Sequence, residues 1–236
     1  MPEVRVVVWE TDVTIKGDET PVRVAAEAVR RYRGELDRYL RKRPWFASML
    51  RPVDVEPEAP EVVVRMAEAA EAAGVGPLAA VAGAISELAA RDGGPDVIVD
   101  NGGDIQVNSS DEVVVGLYLG DHPLSGRVGF EVKGFVGVCT SSGRLGHSLS
   151  FGRADAVTVF ARRASVADAF ATAICNAAVG PDDETAVFNA LERADEALGD
   201  VEGVLVVVGD LVGRAGRLPR MVSVEGEVKP ARLETV

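Results

Sequence analysis

A chain of 236 residues with 47% hydrophobic and 26% charged side chains has the composition of a soluble globular protein. It is long enough to bury roughly 70–75% of its unfolded surface without a disulfide or metal staple. Its net charge of −12 argues against a nucleic-acid partner, and its two cysteines, Cys139 and Cys175, lack the C-x-x-C spacing of a zinc ribbon or thioredoxin-type pair.

The opening "MPEVRVVVWE" has neither a basic start nor a long apolar core. No segment approaches the about 18 apolar residues of a membrane span, so the cytoplasm is the default location. Alternation in Val4–Val8 and Val13–Ile15 predicts strands. Thr20 as N-cap, followed by Pro21, opens a helix running to about Arg43. That helix holds the chain's basic cluster, "RRYRGELDRYLRKR". Ala25, Ala28, Val29, Tyr32, Leu36, Tyr39 and Leu40 recur through it at helical spacing, so the charges read as a solvated face. After the Pro-rich "RPVDVEPEAP", a second helix spans Pro60 to about Ala73. A Gly-Pro turn then opens a small-residue helix that ends at Gly93–Gly94.

"PDVIVDNGGDIQVN" reads as a buried strand, a tight glycine turn and a second strand. "EVVVGLYLG", "RVGFEVKG" and "FVGVCT" are three further strands, and "DAVTVFAR" is another. "SVADAFATAICNAAVG" is a helix of small apolar residues stopped by Gly180–Pro181, "DDETAVFNALERADEAL" an exposed amphipathic helix, and "VEGVLVVVGDLVG" a return to strand. A strand-rich middle flanked by helices implies a mixed α/β or α+β fold, with no composition shift to divide residues 1–236 into more than one domain. The Ala-rich helices 78–90 and 164–178 are fit to pack against each other or across the two-fold axis of a homodimer.

Three stretches carry candidate chemistry. Asn101, Gly102, Gly103 and Asp104 fit a hairpin turn, but the same glycines would let a phosphorylated ligand approach backbone N–H groups. Asp168 and Thr172 lie one turn apart on a helix face and could converge on a hard cation. Alternatively, Ser165-x-x-Asp168 is a capping box and Thr172 bonds back to a carbonyl. In "CTSSGRLGHSLSFG", Cys139 and His147 could act as nucleophile and base, or Cys139 could be a small buried hydrophobe. A thiolate at Cys139 would suit sulfur or persulfide handling.

The order of these motifs is more specific than any one of them. Asn-Gly-Gly-Asp-Ile, then Thr-Ser-Ser-Gly, then a His, then Ala-Asp-Ala-x-Ala-Thr-Ala resembles the ApbE-like superfamily over residues 75 to 180. Its best-known members are flavin transferases that use FAD and Mg²⁺ to attach FMN to a Thr or Ser of a target protein. The similarity is greatest to a short, poorly characterised branch. The resemblance implies a T-fold-type architecture, a central mostly antiparallel sheet flanked by helices. It also implies Mg²⁺ at Asp168 and Thr172, and FAD or a related nucleotide against Gly83, the 101–104 turn and Thr140, Ser141, Ser142 and Gly143, with His147 closing the site. The chain departs from the pattern at "SLSFGRAD", which lacks the family's Asp-Pro-x-Thr-Gly, and at Ala82, where the family carries a lysine. Glu87 stands where it carries an aspartate. These departures leave room for a binding or assembly protein whose ancestral site has decayed.

Overall fold

The computed structural model describes residues 2–143 and 152–224. Strands β1 (Glu3–Val8) and β2 (Thr11–Gly17) precede helices α1 (Glu19–Lys42), α2 (Glu61–Ala73) and α3 (Val81–Gly93). Then follow β3 (Val97–Asn101), β4 (Asp104–Gly116), β5 (Val128–Ser141), β6 (Ala156–Ala161), α4 (Ala164–Ala177) and α5 (Asp183–Ala197). The chain continues through β7 (Gly203–Val208), β8 (Leu211–Gly216) and β9 (Arg220–Ser223). The nine strands form one sheet in chain order β1 to β8, with β9 added to β5, and every strand pair is antiparallel.

The helices share one face of this sheet. Aligned across the strands, Ile15, Val99, Gln106, Gly137 and Ala161 form one row on that side, as do Cys139, Val159, Val204 and Ala215 further along. These rows meet two apolar clusters, one around α1 and α3 and the other around α4 and α5. The opposite face carries a third cluster centred on Phe130 and Phe160, whose rings meet edge to face at 4.8 Å. Leu117, Leu119 and Leu124, beyond β4, cover it.

Two local expectations are corrected. Asp18, not Thr20, occupies the N-cap position of α1, and Pro21 falls in the first turn, where its missing N–H costs little. The four predicted strand pieces between 104 and 141 are two long strands, because the polar "SSDE" is a bulge within β4: pairing runs to Ser109–Gly134 and resumes at Val113–Val132. Asp96 holds the bulge by accepting hydrogen bonds from the Ser110 N–H (2.9 Å) and hydroxyl (2.8 Å). Gly134, opposite, takes φ +87°.

The basic face of α1 is engaged within the molecule: Arg31 pairs with Asp92, Arg33 with Glu10, Arg41 with Asp37 and Arg43 with Glu56. No single helix among the described residues is long and apolar enough to cross a membrane. The two Ala-rich helices α3 and α4 pack against each other. Their close approach depends on glycine: a Cβ at Gly83 would lie 2.2 Å from the Ala164 carbonyl oxygen, and one at Gly137 2.4 Å from the Ala164 nitrogen. The N-terminus of α4 is thereby seated directly on the middle of the sheet, where the Gln106 side-chain oxygen accepts the Ala164 N–H at 2.8 Å.

Candidate functional site

The β3–β4 hairpin supplies one wall. Asn101 pairs with Asp104 across a two-residue turn in which Gly102 (φ +71°) and Gly103 (φ +103°) adopt the left-handed backbone such a turn requires. Nothing lies within 4 Å of where their Cβ atoms would be, so the tip faces open space. The Asp100 carboxylate closes the turn by accepting the Gly103 N–H at 2.9 Å. Helix α3 is tied to this hairpin at two points: Asn101 Nδ2 donates to the Ala82 carbonyl at 3.3 Å, and the Ser86 hydroxyl to the Asp104 carbonyl at 2.8 Å.

The second wall is α4. Asp168 is buried, and its Oδ2 accepts the Gly83 N–H at 2.9 Å. The capping-box reading of Ser165-x-x-Asp168 is therefore corrected: the N-cap position is Arg163, and Asp168 instead caps the start of α3. The first turn of α4 is satisfied by Glu87 of α3, whose Oε2 accepts both the Ser165 N–H at 3.3 Å and the Ser165 hydroxyl. Each helix thus caps the other. Thr172 lies half-buried one turn beyond Asp168.

The end of β5 lies between the two walls. The Asp104 carboxyl faces the Thr140 backbone and the Cys139 side chain, both of which favour its ionised form. The Thr140 hydroxyl is 2.9 Å from that of Thr158. The buried Ser141 hydroxyl has no hydrogen-bond partner among the described residues. β5 and α4 run side by side from the Cys139–Ala164 contact to Gly143, which abuts Gly152 and through it the Cys175 carbonyl. His147 lies outside the described residues. The sequence reasoning missed Gln106, Gly137 and Gly152; a glutamine and a glycine inside apolar strands were the available signals.

The electrostatics of the acidic groups are unusual. Burial, then the negative charges of Asp168 and Asp100, hold the Asp104 carboxyl well above the ordinary range. Burial pushes Asp168 up to about 7, against the pull of the Gly83 and Ala82 N–H groups. Asp100 is also raised by burial. A divalent cation would relieve this mutual repulsion, and carboxylate and hydroxyl oxygens are the donors that Mg²⁺ takes. No three His, Cys, Asp or Glu side chains among the described residues form a ligand cluster, so a cation here would depend on Asp168, Thr172 and backbone or solvent oxygens. The unpartnered Ser141 hydroxyl is a further oxygen at the end of β5.

Cys139 is different. It is fully buried, its Sγ 3.3 Å from the Ala164 carbonyl oxygen, and burial beside Asp104 and Asp168 drives its thiol well above the ordinary range. The small buried hydrophobe is the reading these surroundings favour, and persulfide handling lacks an accessible thiolate. Native protein should accordingly resist iodoacetamide at Cys139 up to pH 9 and label only in denaturant; peptide mapping showing alkylation of the native chain at pH 8 would reverse this conclusion.

The antiparallel sheet with its helices on one face is the fold of ApbE proteins. The chain belongs to the family described as "AbpE bacteria", whose model matches residues 2–215. It is 59% identical to a UPF0280 protein of Methanopyrus kandleri over 99% of both chains. A UPF0280 protein of Methanocaldococcus jannaschii is 46% identical over 95% of this chain and 94% of its own. Among solved structures, a mutant of the flavin transferase ApbE from Vibrio cholerae superposes with a TM-score of 0.59 at 13% identity, over 91% of this chain and 96% of that one. The ApbE protein of Thermotoga maritima gives 0.57 at 16% identity over the same shares. At these identities the likeness establishes the fold.

Proposed function

We propose that this chain binds a flavin nucleotide, or another ligand with a pyrophosphate, together with Mg²⁺ in the seam between the β3–β4 hairpin and α4. The observation that carries this reading is a pair of carboxyls beside an open glycine turn, half-buried Asp104 and buried Asp168, both held above the ordinary range and the first of them raised in part by the second. Buried like charges are costly unless neutralised. Asp168 and Thr172 would hold the cation, with the open Gly102–Gly103 tip and the Ser141 hydroxyl turned to the phosphates. A bound Mg²⁺ would neutralise the pyrophosphate and polarise a phosphoryl oxygen. FMN transfer to a Ser or Thr is the more demanding version, and the missing lysine at Ala82 and the missing Asp-Pro-x-Thr-Gly oppose it.

A second reading is a binding or assembly protein whose ancestral metal and nucleotide site has decayed, with Asp168 serving only as a helix cap; the Gly83 N–H already on its Oδ2 favours it. Calorimetric titration with Mg²⁺ and FAD, for wild type and Asp168→Ala, separates the readings. Loss of both binding events in the variant is expected, and equal binding by both proteins would remove the site. Because the pyrophosphate would meet acidic side chains with no cation between them, FAD affinity should also fall at least about tenfold when EDTA replaces Mg²⁺. FAD binding unchanged by EDTA would place the ligand elsewhere.

A further inference from the structure

Glu87 is a buried carboxylate that the proposed chemistry does not use, yet it sits one helical turn from Gly83, whose N–H holds Asp168. Two polar links of opposite direction join α3 and α4. At one, the α3 backbone (Gly83 N–H) donates to an α4 side chain (Asp168). At the other, α4 (the Ser165 N–H and hydroxyl) donates to an α3 side chain (Glu87). Residues 83 and 87 are stacked on one face of α3, and 165 and 168 on one face of α4. A single hydrogen bond would allow α4 to rotate about it; two separated by a turn fix both the rotation and the axial register of the helix. The other Glu87 oxygen, Oε1, lies 3.3 Å from Arg65 Nε, which anchors the carboxylate from α2.

We infer that Glu87 is a positioning residue for the candidate cation site: by holding the first turn of α4 through Ser165, it sets where the Asp168 carboxylate stands relative to Asp104. This rests on the Mg²⁺ reading above and goes beyond it, because Glu87 touches neither Asp168 nor Asp104 in any hydrogen bond described. The geometry requires an acceptor at Oε2 and not the negative charge itself. Glutamine can supply an acceptor to Ser165 while losing the ion pair with Arg65, whereas alanine supplies nothing and strands the Ser165 N–H in the interior.

Two measurements on wild type, Glu87→Gln, Glu87→Ala and Ser165→Ala test this: Mg²⁺ affinity by calorimetry, and hydrogen exchange of the Gly83 amide in the metal-free protein. Glu87→Ala is expected to weaken Mg²⁺ about tenfold, in the range typical for groups that orient metal ligands, and to speed Gly83 exchange. Glu87→Gln should restore both to within about threefold of wild type. Should Glu87→Ala fail to fold, Ser165→Ala replaces it, with a smaller weakening expected because its N–H remains. Altered melting with unchanged Mg²⁺ affinity and Gly83 exchange in either truncation would reduce Glu87 to a structural cap and overturn the inference. Failure of wild type to bind Mg²⁺ would instead sink the ligand reading, leaving the Gly83 amide to decide the positioning role alone.

Discussion

Asp168→Asn is expected to make the metal-free protein more stable at pH 8 while abolishing its stabilisation by Mg²⁺. The folded Asp168 carboxyl titrates at about 7, against about 3.9 in an unfolded chain. Between those values the folded state binds more protons than the unfolded one, so the contribution of Asp168 to stability is fully present below about pH 4 and is lost as pH rises through 7. Asparagine stays neutral, and its Oδ1 can still accept the Gly83 N–H, so the variant escapes this loss. The gain at pH 8 should be at most about 4 kcal/mol, a shift of roughly three units at about 1.4 kcal/mol each, or up to about 8–16 °C in melting temperature for a chain of this size, and should vanish near pH 4. Mg²⁺ reverses the order, stabilising wild type by mass action and leaving the variant unmoved. Scanning calorimetry at pH 4 and pH 8, with EDTA or Mg²⁺, checks both. A difference between the proteins that does not change with pH would mean Asp168 is ionised as easily in the fold as outside it.

Gly83→Ala is expected to be the more damaging substitution. The added methyl would lie 2.2 Å from the Ala164 carbonyl oxygen and 2.8 Å from Asp168 Cβ, so α3 and α4 must separate. Overpacking against backbone costs about 3 kcal/mol or more, and separation would also break the Gly83–Asp168 bond. Gly102→Ala provides the contrast. Its Cβ meets nothing within 4 Å, but φ is +71°, so only the left-handed backbone penalty of about 1–2 kcal/mol applies. Urea unfolding of the two variants should rank them in that order. A Gly83→Ala protein as stable as wild type would show that the helices do not meet as closely as described.

Much of this architecture was legible in the chain. Apolar alternation marked the strands, Gly93–Gly94 and Gly180–Pro181 marked helix ends, and Asn101-Gly102-Gly103 marked a hairpin, because each depends on conformations of adjacent residues. The motif order pointed to the family and, with it, to the candidate site. Local reading failed where a partner lay elsewhere. The polar "SSDE" separated two predicted strand pieces, but Asp96 and Gly134 make it a bulge within one strand.

Sequence by itself determined which residues form the helices and the hairpin, and that Asp168 and Thr172 share a helix face. Only the tertiary structure decided what Asp168 does with that position. Within four residues Ser165 and Asp168 spell a capping box, yet Ser165 is held by a carboxylate 78 positions away and Asp168 holds an amide 85 positions away. Their helices approach closely enough to exchange caps because Gly83 has no side chain. Nor could composition show that Asp104 and Asp168 come close enough for burial to raise both carboxyls and for Asp168 to raise Asp104 further. That proximity depends on β4 and α4 meeting across the sheet, which no short stretch of the chain encodes.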